Sequence, residues 1–76
     1  LETICKGDIF ELMGKIYIAI RWQSTAFDTR ELIVFNLTDS ELQIIDDYTT
    51  SRYAVEFIAS IADLNTLFSN SFNDNI

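Results

Sequence analysis

Carboxylates are the most numerous side chains in this sequence that could take part in chemistry. Twelve aspartates and glutamates stand against five lysines and arginines, and the chain contains no histidine. An adjacent carboxylate pair, Asp46 and Asp47, invites comparison with glycoside hydrolases, which work with two carboxyl groups. Neighbouring residues of a strand point to opposite faces, however, so this pair would not share one catalytic site.

Other catalytic and ligand-binding chemistries lack their essential residues. General acid–base catalysis most often uses histidine, and Cys5 has no histidine to activate it as a nucleophile. A single cysteine cannot form an internal disulfide or build a zinc site. The two glycines, Gly7 and Gly14, form no phosphate-binding loop. We therefore expect no catalytic residue, no metal site and no cofactor, and we predict that the protein is not an enzyme.

The charge balance bears on which partners the protein could bind. The net charge is −7, and the sequence pI is about 4.1. Nucleic acids and anionic membranes are bound through lysine and arginine, so this balance disfavours direct contact with either. It favours a basic protein partner, although it also fits a surface that is charged only for solubility. A single unpaired cysteine fits a reducing compartment, and we expect a cytoplasmic location.

Five carboxylates follow one another between residues 31 and 51 without an intervening base. Four of them form the candidate acidic edge, namely Asp39, Glu41, Asp46 and Asp47. Strand residues two apart lie on one face about 6.6 Å apart, which is close to the phosphate spacing along a nucleic-acid strand. The acidic edge could thus imitate nucleic acid and occupy a basic groove. The alternative is a solvated loop and strand end with no partner.

Hydrophobic periodicity predicts the elements that carry these residues. Strands are expected over residues 8–13, 15–23 and 30–38, and a helix over residues 52–69. The pattern of residues 41–46 fits either a fourth strand or a helix that begins with the capping box Thr38-Asp39-Ser40-Glu41. In the second strand, strict alternation groups Ile16, Ile18, Ile20 and Trp22 on one face and Lys15, Tyr17, Ala19, Arg21 and Gln23 on the other.

Together these elements predict one α+β domain over residues 1–76. We expect a three- or four-stranded antiparallel curled sheet, for which an SH3-like barrel is one form, capped by the C-terminal helix. Residues 32–37 carry apolar side chains on both faces and should form a central strand. If the helix covers one sheet face, Tyr17, Ala19 and one stripe of residues 32–37 remain uncovered. Phe27 stands alone in a polar loop, where it could anchor a partner or fold back over a sheet edge.

These features favour a protein that acts by surface contact. The first hypothesis is an inhibitory or regulatory module that binds a basic partner through the acidic edge, with Tyr17 and Phe27 as candidate apolar contacts. The alternative is a structural or assembly subunit, held in a larger complex or in a homodimer through an apolar sheet face. A chain of 76 residues buries a small core, which makes support from a second chain plausible on physical grounds.

Overall fold

Five strands and two helices make up the computed structural model, which describes residues 3–73, with side chains described except at 48, 51, 68 and 70–73. In chain order the elements are β1 (Asp8–Leu12), β2 (Lys15–Ser24), β3 (Arg30–Asn36), β4 (Glu41–Asp46), α1 (Asp47–Arg52), β5 (Val55–Ser60) and α2 (Ile61–Asn73). The class is α+β, with one antiparallel sheet and a C-terminal helix.

The strands form a meander that is completed by the last strand. Their order in the sheet is β4-β3-β2-β1-β5, and all four pairings are antiparallel. Met13 and Gly14 join β1 to β2 with φ angles of 53° and 80°. A two-residue hairpin with positive φ at both positions matches the right-handed twist of the strands it connects. The chain begins to fold back on itself at this turn.

One face of the sheet, which we call the inner face, carries the core. Phe10, Leu32, Val34 and Asn36 are fully buried there. Phe10 stacks on Tyr17 with ring centroids 5.5 Å apart. Helix α1 packs chiefly against β4 and β3, α2 packs chiefly against β5, and Ile4 joins the core from the segment before β1. The core is therefore enclosed largely by the curl of the sheet itself, with Ile4 and α1 beside it.

A bulge in β2 changes the expected assignment of residues to faces. Ala19 pairs with Val34, whereas the next pair along the strand is Arg21 with Ile33, which leaves Ile20 as the extra residue. Because one inserted residue reverses the alternation, Trp22 joins Tyr17 and Ala19 on the inner face. The strict alternation expected over residues 15–23 is therefore wrong beyond residue 19. Arg21 moves to the opposite face, which we call the outer face.

The largest difference from expectation concerns residues 52–69, for which the sequence predicts one continuous helix. The structure has instead the end of α1, the strand Val55–Ser60 and the first part of α2. Strand β5 pairs along β1, whose backbone would otherwise form an unpaired edge. Helical spacing of apolar residues was thus outweighed by the backbone hydrogen bonds that β1 offers, as tertiary context often outweighs local propensity. The sheet has five strands rather than three or four.

The C-terminal helix does not cap the sheet. Helix α2 starts where the Ile61 amide donates to the Gly7 carbonyl oxygen, 2.8 Å away, and it packs chiefly against β5, its neighbour in sequence. Its apolar residues Ile61 and Leu67 are exposed. The chain spans 53 × 25 × 24 Å, which is long for its size. The prediction that this helix caps the sheet is therefore wrong, and no element within residues 3–73 lies over the outer face.

Candidate contact surfaces

The outer face carries an apolar row that crosses the whole sheet. Register places five side chains side by side, one from each strand, and we call them the central row: Leu42, Phe35, Ile18, Ile9 and Ala59. Leu42 is 68% exposed at the edge, while Phe35, Ile18 and Ile9 are half-buried by their neighbours. Residues on one sheet face normally pack against a second layer when they are this apolar. Nothing among the described elements covers this row.

Further apolar side chains widen the row on both sides. Ile33 pairs with Ile44, and this pair lies two residues from the central row along the strands. Ile16 lies two residues from the row on its other side. Ile44 is 59% exposed, and Ile16 and Ile20 are also exposed. Contiguous apolar surface of this kind marks contact sites on soluble proteins more often than scattered exposed residues do. The outer face is therefore a broad apolar surface of the described part of the chain.

Charged side chains border the apolar area in a defined arrangement. On one side, Glu11 of β1 lies directly opposite Glu56 of β5. On the other side, the bulge in β2 presents Arg21 beside Ile33. None of these three side chains forms a salt bridge within residues 3–73. Like charges directly opposite on a sheet destabilise it slightly, so the glutamate pair is a feature that packing within the chain does not explain.

The acidic edge is divided into two groups by the length of β4. Asp39 accepts a hydrogen bond from the Lys15 ammonium group in a salt bridge and another from the Asn36 amide. These bonds lower the pKa of Asp39, chiefly through the Lys15 hydrogen bond, and raise the pKa of Lys15. Glu41, two residues further on, accepts a hydrogen bond from the side-chain amide of Gln43, 2.8 Å away.

The second acidic group stands at the far end of β4 and belongs to the start of α1. Asp46 is the N-cap of α1 and accepts a hydrogen bond of 2.6 Å from the Thr49 amide. Bonds from the Thr49 hydroxyl and amide lower the pKa of Asp46. Asp47 pairs with Arg30 at 3.4 Å. Because register sets Asp46 on the outer face and Glu41 on the inner face, the four carboxylates do not form one continuous surface.

The two aromatic candidates have opposite environments. Tyr17 is only 8% exposed and belongs to the core, so the exposure expected for it is wrong. Tyr17 lies on the inner face opposite Phe10, where the curling of the sheet buries it. Phe27 is 86% exposed at the tip of the β2–β3 loop, which is closed by the backbone hydrogen bond from Thr25 to Thr29. Phe27 does not fold back over a sheet edge.

A cavity opens on the concave side, between the first residues of the chain and α1. Its volume is about 380 Å³, and apolar rings from Phe10, Trp22 and Phe57 line much of it. The Arg30 guanidinium lies 4.1 Å from the centre of the Trp22 ring at its mouth. The Trp22 indole N–H donates to the Ile4 carbonyl oxygen, and no buried side-chain nitrogen or oxygen among the described residues lacks a partner. The charged side chains of Asp8, Arg30 and Asp47 also line the cavity, so it combines apolar contacts with charged groups.

Within residues 3–73, no three side chains of the types that bind metals come together. In that same part of the chain, neither helix has the combined length and apolar character needed to cross a bilayer.

The outer-face charges were not identified from the sequence. Arg21 was assigned to the face of Tyr17, because a bulge leaves no mark in the hydrophobic pattern. Glu56 was assigned to the polar side of a helix, since the strand β5 was not expected. One stripe of residues 32–37 was expected to be uncovered together with Tyr17 and Ala19. In the structure Tyr17 and Ala19 share the inner face with the buried Leu32 and Val34, and the stripe on the outer face carries Ile33 and Phe35. Only the pairing register joins these residues into one surface.

Comparison with known proteins adds no functional assignment to this geometry. No protein-family description, no curated protein and no solved structure matches the chain.

Proposed function

We propose that the protein works by protein–protein contact and that the outer face of its sheet is the contact surface. The observation that carries this proposal is the central row, five apolar side chains in register across five strands, which no described element covers. The free energy of association would come from removing these side chains from water. This role is that of a structural or assembly subunit, and it requires neither a cofactor nor a catalytic residue.

The topology supports an SH3-like architecture for this module. A four-strand meander is followed by a short helix, and the fifth strand returns to pair with β1. Small curled sheets of this kind serve many unrelated functions, so the architecture alone does not choose among them. The choice of surface rests on the uncovered outer face.

A second candidate function is inhibitory or regulatory binding of a basic partner. It is supported by the net charge of −7 and by the exposed position of Glu41, away from the outer face. Asp39, Asp46 and Asp47 are exposed or half-buried as well, but each also stabilises a turn, a helix start or an ion pair within the chain. A partner would have to compete with those contacts, which is why we place this function second.

Site-specific photo-crosslinking in cells separates the two candidates. A photoreactive residue at position 18 lies in the centre of the outer face, and one at position 41 lies at the acidic edge. We expect protein crosslinks from position 18 and few from position 41, with position 6 as a control on an exposed turn. Crosslinks from position 41 alone would support the basic-partner function instead. No crosslink from position 18 to any protein, this chain included, would contradict the proposed function.

Salt dependence gives an independent distinction between the two surfaces. Exposed charge contacts are screened over about 10 Å at 0.1 M salt, so binding through the acidic edge should weaken steeply as salt is raised. Binding through the central row should change little, because burial of apolar surface does not depend on screening.

A further inference from the structure

We infer that the cavity on the concave side of the sheet binds an arginine side chain of another protein. The cavity opens on the face opposite to the central row, so this inference goes beyond the proposed function and does not depend on it. Its support comes from the aromatic rings, the charges and the size of the cavity.

Three aromatic rings from different strands line the cavity. Phe10 of β1 and Phe57 of β5 are cross-strand neighbours, and Trp22 reaches the inner face because of the bulge in β2. Phe10 is fully buried, whereas Phe57 is 51% exposed on its edge strand. The face of an aromatic ring attracts a positive charge, so this lining favours a cationic ligand.

One guanidinium group of the chain itself shows that the lining suits this chemistry. The Arg30 guanidinium lies 4.1 Å from the centre of the Trp22 ring, and its Nε donates to the Asp47 carboxylate at 3.4 Å. A planar guanidinium group stacks on an aromatic face while its N–H groups donate to carboxylate oxygens. The rest of the cavity offers the same two kinds of contact to a second guanidinium group.

Asp8 is the carboxylate that would receive the incoming charge. Its Oδ2 accepts a hydrogen bond of 2.8 Å from the Cys5 backbone amide, and it forms no salt bridge within residues 3–73. Because Arg30 is paired with Asp47, the lining carries one negative charge that is not balanced. A cation would balance this charge, whereas an anionic ligand would be repelled. The net charge of −7 also attracts basic proteins to the chain as a whole.

The size and openness of the cavity fit one side chain. Its volume of about 380 Å³ is near the lower end of the roughly 300–1,000 Å³ of typical ligand sites. Ile4 and Val55 add aliphatic surface, along which the methylene groups of an arginine can lie while its charged end makes polar contacts. The exposed Phe57 ring would then contact the partner around the inserted arginine. We place the guanidinium group beside Asp8.

Fluorescence of Trp22 tests this site directly, because the sequence contains one tryptophan. Acetyl-arginine methylamide is titrated into the full chain at constant ionic strength, with acetyl-citrulline methylamide as an uncharged compound of nearly the same shape. We expect a saturable change with the arginine compound, with a dissociation constant on the order of 1 mM for so few contacts. The citrulline compound should bind at least about tenfold more weakly, because it lacks the charge.

Two variants with matched controls locate the binding. Asp8→Asn keeps an oxygen that can accept from the Cys5 amide but removes the charge, and it should weaken arginine binding about tenfold. Its control is Glu11→Gln, the same change on the other face of β1, which should have no effect. Phe57→Leu should weaken binding about two- to fivefold through the loss of one cation–π contact. Its control is Phe27→Leu, at an exposed ring in the β2–β3 loop.

A photoreactive residue at position 57 tests whether a protein supplies the arginine in cells. Crosslinked peptides are released by a protease that does not cleave at arginine and are identified by mass spectrometry. We expect an arginine close to the crosslinked residue of the partner. Crosslinked peptides without arginine, or no protein crosslink, would overturn a protein as its source.

Three results of the titrations would overturn the site itself. One is a Trp22 signal that does not respond to the arginine compound at about 20 mM, where a site of the expected affinity is nearly saturated. Equal binding of the citrulline compound would exclude recognition of the charge, and this comparison uses the wild type alone. Equal binding by Asp8→Asn and Glu11→Gln, both shown to be folded by circular dichroism, would exclude Asp8 as the partner of the cation. Crosslinks from position 18 report on the outer face separately, so each proposal can fail without the other.

Discussion

Adjacent residues of β2 should respond in opposite ways to the same substitution. Ile18 lies in the central row of the outer face, whereas Ala19 is 2% exposed in the core. We predict that Ile18→Lys folds and that Ala19→Lys does not. The pair isolates the sheet face as the variable, because both positions lie in the same strand and receive the same side chain.

The magnitudes follow from what surrounds each position. Ile18 loses two cross-strand contacts, with Phe35 and Ile9, each worth about 0.2–1 kcal/mol, so Ile18→Lys should cost about 0.4–2 kcal/mol. Ala19→Lys would bury an ammonium group without a partner, which costs several kcal/mol and requires space that the core does not have. A chain of 76 residues has a total stability of about 4–11 kcal/mol. The protein can tolerate the cost of Ile18→Lys, whereas the cost of Ala19→Lys is comparable with its total stability.

Urea unfolding monitored by circular dichroism gives the comparison. The protein should be dilute, so that any association contributes little to the stability measured. Ile18→Lys should show a cooperative transition at a slightly lower urea concentration, and Ala19→Lys should show none. The reasoning would be refuted if Ile18→Lys were unfolded, since the outer face would then be buried within a single chain.

Three more predictions concern the stability of the fold and can be read from unfolding curves. Gly7→Ala should destabilise more than Gly14→Ala; both have positive φ, which costs about 1–2 kcal/mol, but only at Gly7 would the new methyl lie 2.8 Å from a side-chain atom of α2. Equal losses would argue against that close approach. Asn36→Ala should cost about 2–4 kcal/mol, because the buried amide makes three hydrogen bonds worth about 0.5–1.5 kcal/mol each. A loss below about 0.5 kcal/mol would show that water replaces those bonds. The pKa of Asp46 is lowered in the folded state from a usual value of 3.8. The stability that its carboxylate contributes is therefore present above that value and is lost as pH falls through the folded pKa. Asp46→Asn should therefore make stability less sensitive to pH below about 4, and an unchanged acid dependence would contradict this.

Local patterns in the sequence were enough to predict the first part of the sheet. Alternation defined the strands that became β1, β2 and β3, and Gly14 marked the first hairpin. For residues 41–46 both a strand and a capped helix were open, and the structure has the strand β4. The capping residue proved to be Asp46, which starts α1 rather than a helix over residues 41–46.

What was missed depends on contacts between distant parts of the chain. The bulge at Ile20 arises where β2 meets β3, and no local pattern records it. Strand β5 exists because β1 has a free edge, although Phe57 and Ile61 have the spacing of a helix face. Both features determine which side chains share the outer face. For this reason the candidate surface moved from Tyr17 and the acidic edge to the central row.

Methyl NMR on isotope-labelled protein tests the contact surface most directly. Spectra recorded while a protein crosslinked from position 18 is added report each methyl group separately. We expect the methyl signals of Ile9, Ile18 and Ile33 to shift as that protein is added, while those of Leu32 and Val34 on the inner face stay in place. Shifts confined to α2 or to the residues around Glu41, with the outer-face signals unchanged, would contradict the outer face as the contact surface.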